Sequence, residues 1–558
     1  MNLKVQKKLK ESDYTSKIII YFAFAITIII TPWIHKESIS VPKLILLTTL
    51  AGYLVPNTLN DIKAIIKYRF GRYIVSIQII IIIGLILIVA VSSAPFEQQL
   101  FGRSGRLLGL FSYISLAIIF IASIRHSKIF QNQFMINIFA VSGLIVSIYS
   151  ICQSFGIDFV KWDTRTNGVI STLGNPNFVS AFIAASTIPI IFLAPRKYII
   201  LASLTVIPFS IFSIYRTESI QGFIALLVGL TCYLFFYINK IHKKFTGLFG
   251  ASVFFVFGWL ISGALGHGVF REFLYKASVE SRGDFWRSAF TTANHNPFFG
   301  VGLDSFGDYY LIYRDENAAN HTFAEFTDSA HNYLLDYASQ GGYIFLGLNL
   351  LIILIVITSF ISKQKQTNFF EKEAVAIFSA WLALQATFIV SPISIPLMLW
   401  STIFSGALIS YSLGLNTTKD SQKSNTNFSY NIRDLIRIFS VSVVLIIMFP
   451  LHNTDSKFLE SLRTGNGNLG LEVVEMYPRS NLRYFTIGKL FWESGQNEYA
   501  LKIARSAVQF NDLSINAWGL IMINPLASYE ERVFAKEKVL QLDRFNKEVL
   551  NYKITRVD

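Results

Sequence analysis

Runs of mainly apolar residues, each about long enough to cross a bilayer core, recur at about 17–34, 41–56, 73–93, 107–124, 133–154, 177–194, 198–215, 222–238, 247–266, 342–361, 373–391, 395–413 and 434–451. The pattern predicts an all-α polytopic membrane protein with about thirteen transmembrane helices (12–14), because Pro56, Pro392 and Pro396 interrupt the second segment and the eleventh–twelfth pair. Most connections are short. Residues 266–342 form the one long polar interval between apolar runs. Joining two helices needs far less chain, and connections of that length are usually functional. The interval is expected to hold short helices. Past residue 451 the chain turns soluble in character, and Tyr484 to Trp518 carries the aromatic and small-residue spacing (Leu490, Ala500, Ala504, Ala507) of a helix–turn–helix repeat of the tetratricopeptide kind. The expected division is a cytoplasmic N-terminus over 1–16, a transmembrane domain over 17–451 and a helical repeat-like domain over 452–558.

Composition agrees with a membrane location. Of 558 residues 52% are hydrophobic and only 15% charged, against about 25% charged in soluble domains. The formal net charge of +14 does not indicate nucleic acid, because Lys and Arg sit in short clusters between apolar runs: Lys63 to Arg72, Arg125 and Lys128, Arg196 and Lys197, Lys240 to Lys244, Lys363 to Lys372, and Lys419 to Arg433. With thirteen spans and a cytoplasmic N-terminus, these clusters all fall on the cytoplasmic side, as the positive-inside rule requires. The interval 266–342 and everything after 451 then lie outside. Cys152 and Cys232 fall in apolar segments and read as small core residues, with no disulfide or metal implied. Lys4, Lys7, Lys8 and Lys10 precede an apolar run with no small-residue cleavage site, so the first span reads as retained.

Charge on the outer side carries the candidate chemistry. Arg103, Arg106, Arg165, Arg216, Arg282 and Arg287 remain where the positive-inside rule disfavours them. Arginine presents a planar fork of donors suited to phosphate, and a charge at the membrane edge is by default a functional hypothesis. Snorkelling at the interface, or a helix-end pair such as Arg216 with Glu218, is the alternative. The turn Gly174-Asn175-Pro176-Asn177 either caps the next helix or lends the Asn175 and Asn177 amides to a wall that binds sugar hydroxyls. Within the long interval, His331 is expected in the first turn of a helix over 331–340, with Asp328 and Ser329 as caps. The positive helix end favours a neutral imidazole there, which can accept a proton from a hydroxyl; a structural histidine bonded to backbone is the competing reading. Trp286, Tyr309 and Tyr310 either stack on sugars or pack the interval onto the bilayer interface.

No phosphate-binding Gly-rich loop with Lys, no His-Glu-x-x-His and no Gly-x-Ser-x-Gly elbow occurs. Asp304, Asp308, Asp315, Glu316, Glu325 and Asp328 are scattered without metal-ligand spacing, so no metal and no cofactor are expected. Arginines at the outer edge point to a phosphate or diphosphate; a candidate base and aromatics in the covering interval point to an acceptor hydroxyl and a sugar. A group carried on a lipid diphosphate needs no further energy source, because the diphosphate is the leaving group and arginines stabilise its developing charge. The covering interval would exclude water.

These residues resemble the O-antigen ligase and polymerase superfamily of bacterial envelope proteins, which includes protein O-oligosaccharyltransferases. The resemblance rests on Gly102 to Gly109 with Arg106, on Gly174-Asn175-Pro176-Asn177, and on Arg216 to Gly222. It rests further on Arg282-Gly283-x-x-Trp286-Arg287 followed by Asn296-Pro297-x-x-Gly300-x-Gly302, and on His331-Asn332-x-x-Leu335 leading to Gly341. It covers roughly 15–415 and departs from the family's Ser-Arg pattern, since Arg216 precedes Ser219 by three residues. The resemblance implies a metal-independent, inverting glycosyltransferase of the inner membrane. Its donor would be a glycan on undecaprenyl diphosphate at the periplasmic face. Arg106, Arg216, Arg282 and Arg287 would bind the diphosphate, with Arg282 also catalytic. His331 would deprotonate or orient the acceptor hydroxyl, and Asn175, Asn177, Trp286 and Asn332 are candidates for acceptor or sugar binding. Three acceptors compete: lipopolysaccharide core, a growing polymer, or a protein Ser/Thr. A polysaccharide flippase without chemistry is the alternative from another class; the chain lacks the internal repeats expected of a transporter.

Overall fold

The computed structural model describes residues 3–127, 133–162, 168–193, 199–275, 277–321, 326–366, 371–415 and 430–556. Lys128, Arg165, Arg196, Lys197, Glu325, Lys419 and Lys423 lie outside the described residues. Among the described residues every regular element is an α-helix. In a bilayer core with no water to bond, a helix is the form that satisfies each apolar run's own backbone.

The first ten helices are α1 (Leu3–Ile28), α2 (Ser40–Ile65), α3 (Arg69–Val91), the short α4 (Phe96–Phe101), α5 (Leu110–His126), α6 (Phe134–Ser154), α7 (Pro176–Leu193), α8 (Ile199–Arg216), α9 (Ile220–Ile241) and α10 (Lys243–Ala264). The polar interval holds α11 (Arg271–Leu274), α12 (Ala277–His295), α13 (Phe306–Tyr313), α14 (Glu316–His321) and the start of α15 (Tyr333–Gln366). Then come α16 (Lys372–Phe388), α17 (Ile395–Leu413) and the long α18 (Tyr430–Thr464). Each expected apolar run coincides with one of these helices. Seven of them, α3, α6, α9, α10, α15, α17 and α18, are long and apolar enough to cross a membrane, and α1, α5 and α7 carry shorter apolar stretches. The others fall short for visible reasons: α16 has only 17 residues, and α2 carries Lys43, Asp61 and Lys63. The expected interruption at Pro56 does not occur. Helix α2 runs through it to Ile65, as bundles permit when neighbouring groups take up the freed carbonyl. Pro396 instead sits in the first turn of α17, where a missing N–H costs nothing.

One continuous apolar core joins α1, α2, α5, α6, α7, α9, α15, α16 and α17. Its largest fully buried side chains, Trp381 and Trp400, spend their indole N–H groups on Ser405 Oγ (2.8 Å) and Thr27 Oγ1 (3.0 Å), so neither leaves a polar atom unpaired in the apolar core.

The polar interval is pinned to the bundle by a backbone clasp. Helix α15 is broken at Gly342, whose φ of 76° and ψ of 174° no helix contains. Tyr343 N–H donates to Pro297 O (2.8 Å), while Val301 and Gly302 N–H donate to Ser339 O (2.9 Å) and Gln340 O (3.0 Å). A Cβ on Gly300 would lie 2.2 Å from the Gln340 carbonyl carbon, and one on Gly342 2.4 Å from the Phe298 carbonyl. The Asn296-Pro297-x-x-Gly300-x-Gly302 motif thus exists to seat the turn against the start of α15. Gly342→Ala is expected to destabilise the protein by at least about 1–3 kcal/mol, the cost of a strained backbone position, and to displace the segment that carries His331. A melting temperature equal to wild type would contradict this.

Beyond α18 the chain forms α19 (Gly467–Glu475), α20 (Asn481–Glu493), α21 (Asn497–Phe510), α22 (Ile515–Ile523), α23 (Tyr529–Leu542) and α24 (Lys547–Asn551), each packed on its neighbours. The helix–turn–helix expected over 484–518 is α20 and α21, turning at Gly495 with φ 75°. This tail is docked on the bundle. Arg314 of the polar interval donates to both carboxylate oxygens of Asp543 (2.8 and 2.9 Å). Arg479 pairs with Glu97 (2.9 Å), Ser104 Oγ meets Ser480 Oγ (2.8 Å), and Arg463 donates to Pro32 O (2.9 Å).

Candidate active site

The connections at one end of the bundle converge on a cavity of about 800 Å³. Its wall takes residues from the α1–α2, α4–α5, α6–α7 and α16–α17 connections, from the segment before α15, and from α18 and α20. Lys36, Lys43, Arg106, Lys161 and Arg463 line it against only two carboxylates, Glu37 and Asp328. His331 and Asn175 face the same space. A cavity where cations outnumber acids attracts anions.

The placement of His331 corrects one expectation. The helix begins at Tyr333, and its cap is Asn332, whose Oδ1 accepts from Leu334 N (3.0 Å) and Leu335 N (3.3 Å). His331 therefore precedes the cap and does not sit in the first turn. Its backbone is left-handed, with φ 53°. The turn before it is held by the buried Asp336, which accepts from Ser329 Oγ (2.6 Å) and Ala330 N (2.8 Å), while His331 N–H donates to Ser329 Oγ (3.0 Å). The ring lies against Phe285 at 5.4 Å between centroids. Among the described residues Nδ1 is buried without a partner, which leaves Nε2 as the nitrogen that can reach the cavity. Burial and the positive charges of Arg106 and Arg282 pull the imidazole down to about 3, so the ring is neutral at physiological pH. Neutrality was expected from a helix end; the burial and the two arginines supply it.

Arg106 sits in the loop between α4 and α5, and Asp304 orders that loop by accepting from Arg103 N (2.7 Å) and Leu108 N (3.3 Å). Asp328 takes the Nε edge of Arg106 (3.0 Å) and also its Nη2. Although desolvation works against both charges, each holds the other ionised: Arg106 is raised above its ordinary range and Asp328 is lowered. The Nη1 edge of Arg106 remains for a ligand.

The other predicted residues divide. Arg282, on α12 one turn before Phe285, is close enough to His331 for its charge to depress the ring. Among the described residues it has no acidic partner, its Nε is buried unbonded, and burial lowers its own basicity. Arg216 lies in an adjoining cavity of about 840 Å³, separated from the first by Trp162 and Ile170, which line both. Its Nε donates to Ser154 Oγ (3.0 Å) and its guanidinium rests on Phe155 at 5.0 Å. Arg287 stands on the exposed face of α12, tied to Asp284 and to Asp315 (2.6 Å), and is not in the cavity wall. Asn177 accepts from Ser219 Oγ (2.8 Å) and so joins α7 to the start of α9. Asn175 accepts from Asn177 N (2.8 Å) yet still faces the cavity. Trp286 packs on the small core of the polar interval with its indole N–H buried unbonded. Among the described residues no three His, Cys, Asp or Glu side chains are grouped as a metal site.

Sequence reasoning missed Lys36, Lys43, Lys161 and Arg463. Part of the signal existed: under the expected topology Lys36 and Lys161 stand in short connections where the positive-inside rule disfavours lysine too, whereas Lys43 lies in the first turn of α2 and Arg463 in the last turn of α18. Strain marks the site independently. The non-glycine residues with positive φ among the described ones are Leu107, Ser171, Glu218, Asp304 and His331. Leu107 adjoins Arg106, Ser171 adjoins Ile170, and Glu218 lies two residues past Arg216. Such conformations persist where surrounding structure forces them, typically at functional sites.

Residues 204–352 match the family described as O-antigen ligase. The match begins in α8 and ends in α15 beyond the Gly342 kink, so it contains Arg216, Arg282 and His331 but not Arg106 or the tail. No curated protein matches the chain. The matched segment, about a quarter of the chain, is similar to the O-antigen ligase domain.

Proposed function

We propose that this chain is an O-antigen ligase-like glycosyltransferase of the inner membrane. It transfers a glycan from undecaprenyl diphosphate to an acceptor hydroxyl, without metal and with inversion. In this reading the thirteen apolar helices cross the membrane from a cytoplasmic N-terminus, and the cavity and the tetratricopeptide-like tail face the periplasm. The observation that carries it is the joining of His331 and Arg106 in one cation-rich cavity, with Arg282, which has no acidic partner among the described residues, beside the histidine.

The acceptor oxygen attacks the anomeric carbon from the face opposite the diphosphate. The bond from that carbon to the phosphate oxygen breaks, and the leaving diphosphate keeps the electron pair. Arg106 and Arg282 stabilise its charge. The acceptor proton passes to His331 Nε2 and then to solvent. An imidazole held near 3 is a weak base, and the two arginines are part of the cause. A diphosphate between them offsets their charge, so donor binding restores basicity to His331 and couples proton removal to an occupied site. The midpoint of His331, followed by imidazole NMR, is therefore expected to rise on adding farnesyl diphosphate. Without that ligand the folded ring refuses a proton that the unfolded ring accepts between about 6.5 and 3, so this group lowers stability as pH falls through that window. A midpoint unmoved by the diphosphate would remove the coupling.

Transfer from an undecaprenyl-diphosphate oligosaccharide to lipid A–core, to a lengthening polymer or to a Ser/Thr peptide, by the protein in nanodiscs, tests the activity and separates ligase, polymerase and protein transferase. Donor crossing a vesicle bilayer with no glycosidic product would instead identify a flippase.

A further inference from the structure

Besides the cavity at Arg216, a second neighbour of the His331 cavity, of about 750 Å³, lies between the polar interval and the docked tail. It adjoins the first: Lys36, Asp328 and Thr486 stand in the walls of both. Its chemistry differs. The arginines that line it are already neutralised, Arg103 by Asp308 (3.0 Å) and Arg479 by Glu97 (2.9 Å). Apart from Lys36 and the Arg106-paired Asp328 at the junction with the first cavity, what remains is small hydroxyl and amide groups, Ser480, Asn481, Ser514 and Asn516 among them, beside flat surfaces. The Arg103 guanidinium lies over Phe326 at 5.1 Å, and Phe485 keeps 37% of its surface exposed. Asn481 Oδ1 is buried and has no hydrogen-bond partner among the described residues. Sites of about 300–1,000 Å³ hold ligands the size of a drug molecule, and uncharged hydroxyl-rich molecules are bound by amides and hydroxyls beside planar faces.

We propose that this second cavity binds an uncharged stretch of oligosaccharide, so that the tail is one wall of a glycan-binding cleft leading to His331. The cleft rests on the transferase reading only for its place in the reaction; binding itself does not need catalysis. The tail is a fixed wall, because buried Arg314–Asp543 and the Ser104–Ser480 contact join it directly to the opposite side. A charged compartment at His331 followed by a neutral polar one matches a molecule whose diphosphate end and sugar chain need different surroundings. The sugars are those of the donor or those of the acceptor, which share this chemistry.

The test uses the full chain in nanodiscs, with oligosaccharide released by mild acid from the host cell's polyprenyl-diphosphate pool as the probe. Thr486→Trp narrows the junction of the cavities, and Asn516→Leu alters the far wall without filling the junction. Both variants are expected to weaken oligosaccharide binding at least tenfold, while in Asn516→Leu, which lies outside the first cavity, binding of farnesyl diphosphate stays within twofold. Unchanged oligosaccharide affinity in both variants overturns the proposal, as does binding of a Ser/Thr peptide in its place. Should Thr486→Trp misfold, Asn516→Leu alone decides. In transfer assays a raised KM for the lipid-linked donor assigns the cleft to donor sugars, and a raised KM for the acceptor assigns it to acceptor sugars; either supports the site. Probe binding without any transfer would leave the cleft standing and remove the transferase reading. Transfer with wild-type probe affinity in both variants would do the reverse.

Discussion

Replacing His331 by alanine lowers glycan transfer by about 10²–10⁴-fold, the span that a positioned proton acceptor contributes, while donor affinity changes little. The two effects separate because different atoms are responsible. Diphosphate would be held by the Nη1 edge of Arg106 and by Arg282, neither of which hydrogen-bonds to the imidazole. In the proposed reaction the acceptor proton would meet only Nε2. His331→Gln keeps a polar side chain but no basic nitrogen, and is expected to be as slow as alanine. His331→Gly removes the ring where φ is 53°, a conformation glycine adopts freely, so it should fold at least as well as His331→Ala and transfer equally poorly. Steady-state kinetics with the lipid-linked donor read the split directly. Loss confined to KM, with kcat intact, would show that the histidine binds substrate and moves no proton.

Arg314→Ala unseats the tail. The guanidinium and Asp543 are almost wholly buried, at 0% and 4% side-chain exposure. Removing one member leaves the other charge uncompensated in a dry site, which typically costs about 3–5 kcal/mol. Limited proteolysis should then release fragments at the tail, and the melting temperature should fall. Replacing both residues by leucine removes the stranded charge together with the pair, and such swaps are often neutral, so Arg314→Leu with Asp543→Leu should recover most of the loss. Equal stability of the single and double variants would show that the pair does not anchor the tail. Because the tail forms a wall of both cavities, transfer is expected to fall in the single variant and return in the double.

The helices were legible because their cause is local. A run of apolar residues has one way to satisfy its backbone in a bilayer, and that requirement is written in consecutive positions. His331 and Arg106 were legible for a second local reason, as polar groups standing where composition and charge bias disfavour them. The helix start was misjudged by two residues because Asp328, Ser329 and Asn332 are all competent caps. Which one caps depended on Asp336, which claims Ser329, and on Arg106, which claims Asp328.

By itself, the sequence determined the all-helical character, the division into an apolar bundle, a polar interval and a separate tail, and the residue types available for handling an anion. Only the tertiary structure decided which arginine serves which place. Arg106, Arg216, Arg282 and Arg287 are equivalent as letters, but Asp284 and Asp315 neutralise Arg287, Ser154 holds Arg216 in another cavity, and among the described residues no carboxylate pairs with Arg282. The same holds for Lys43, Lys161 and Arg463, gathered from segments far apart in the chain. A charge's role depends on what neutralises it and how much water reaches it, and both are set by neighbours distant in sequence.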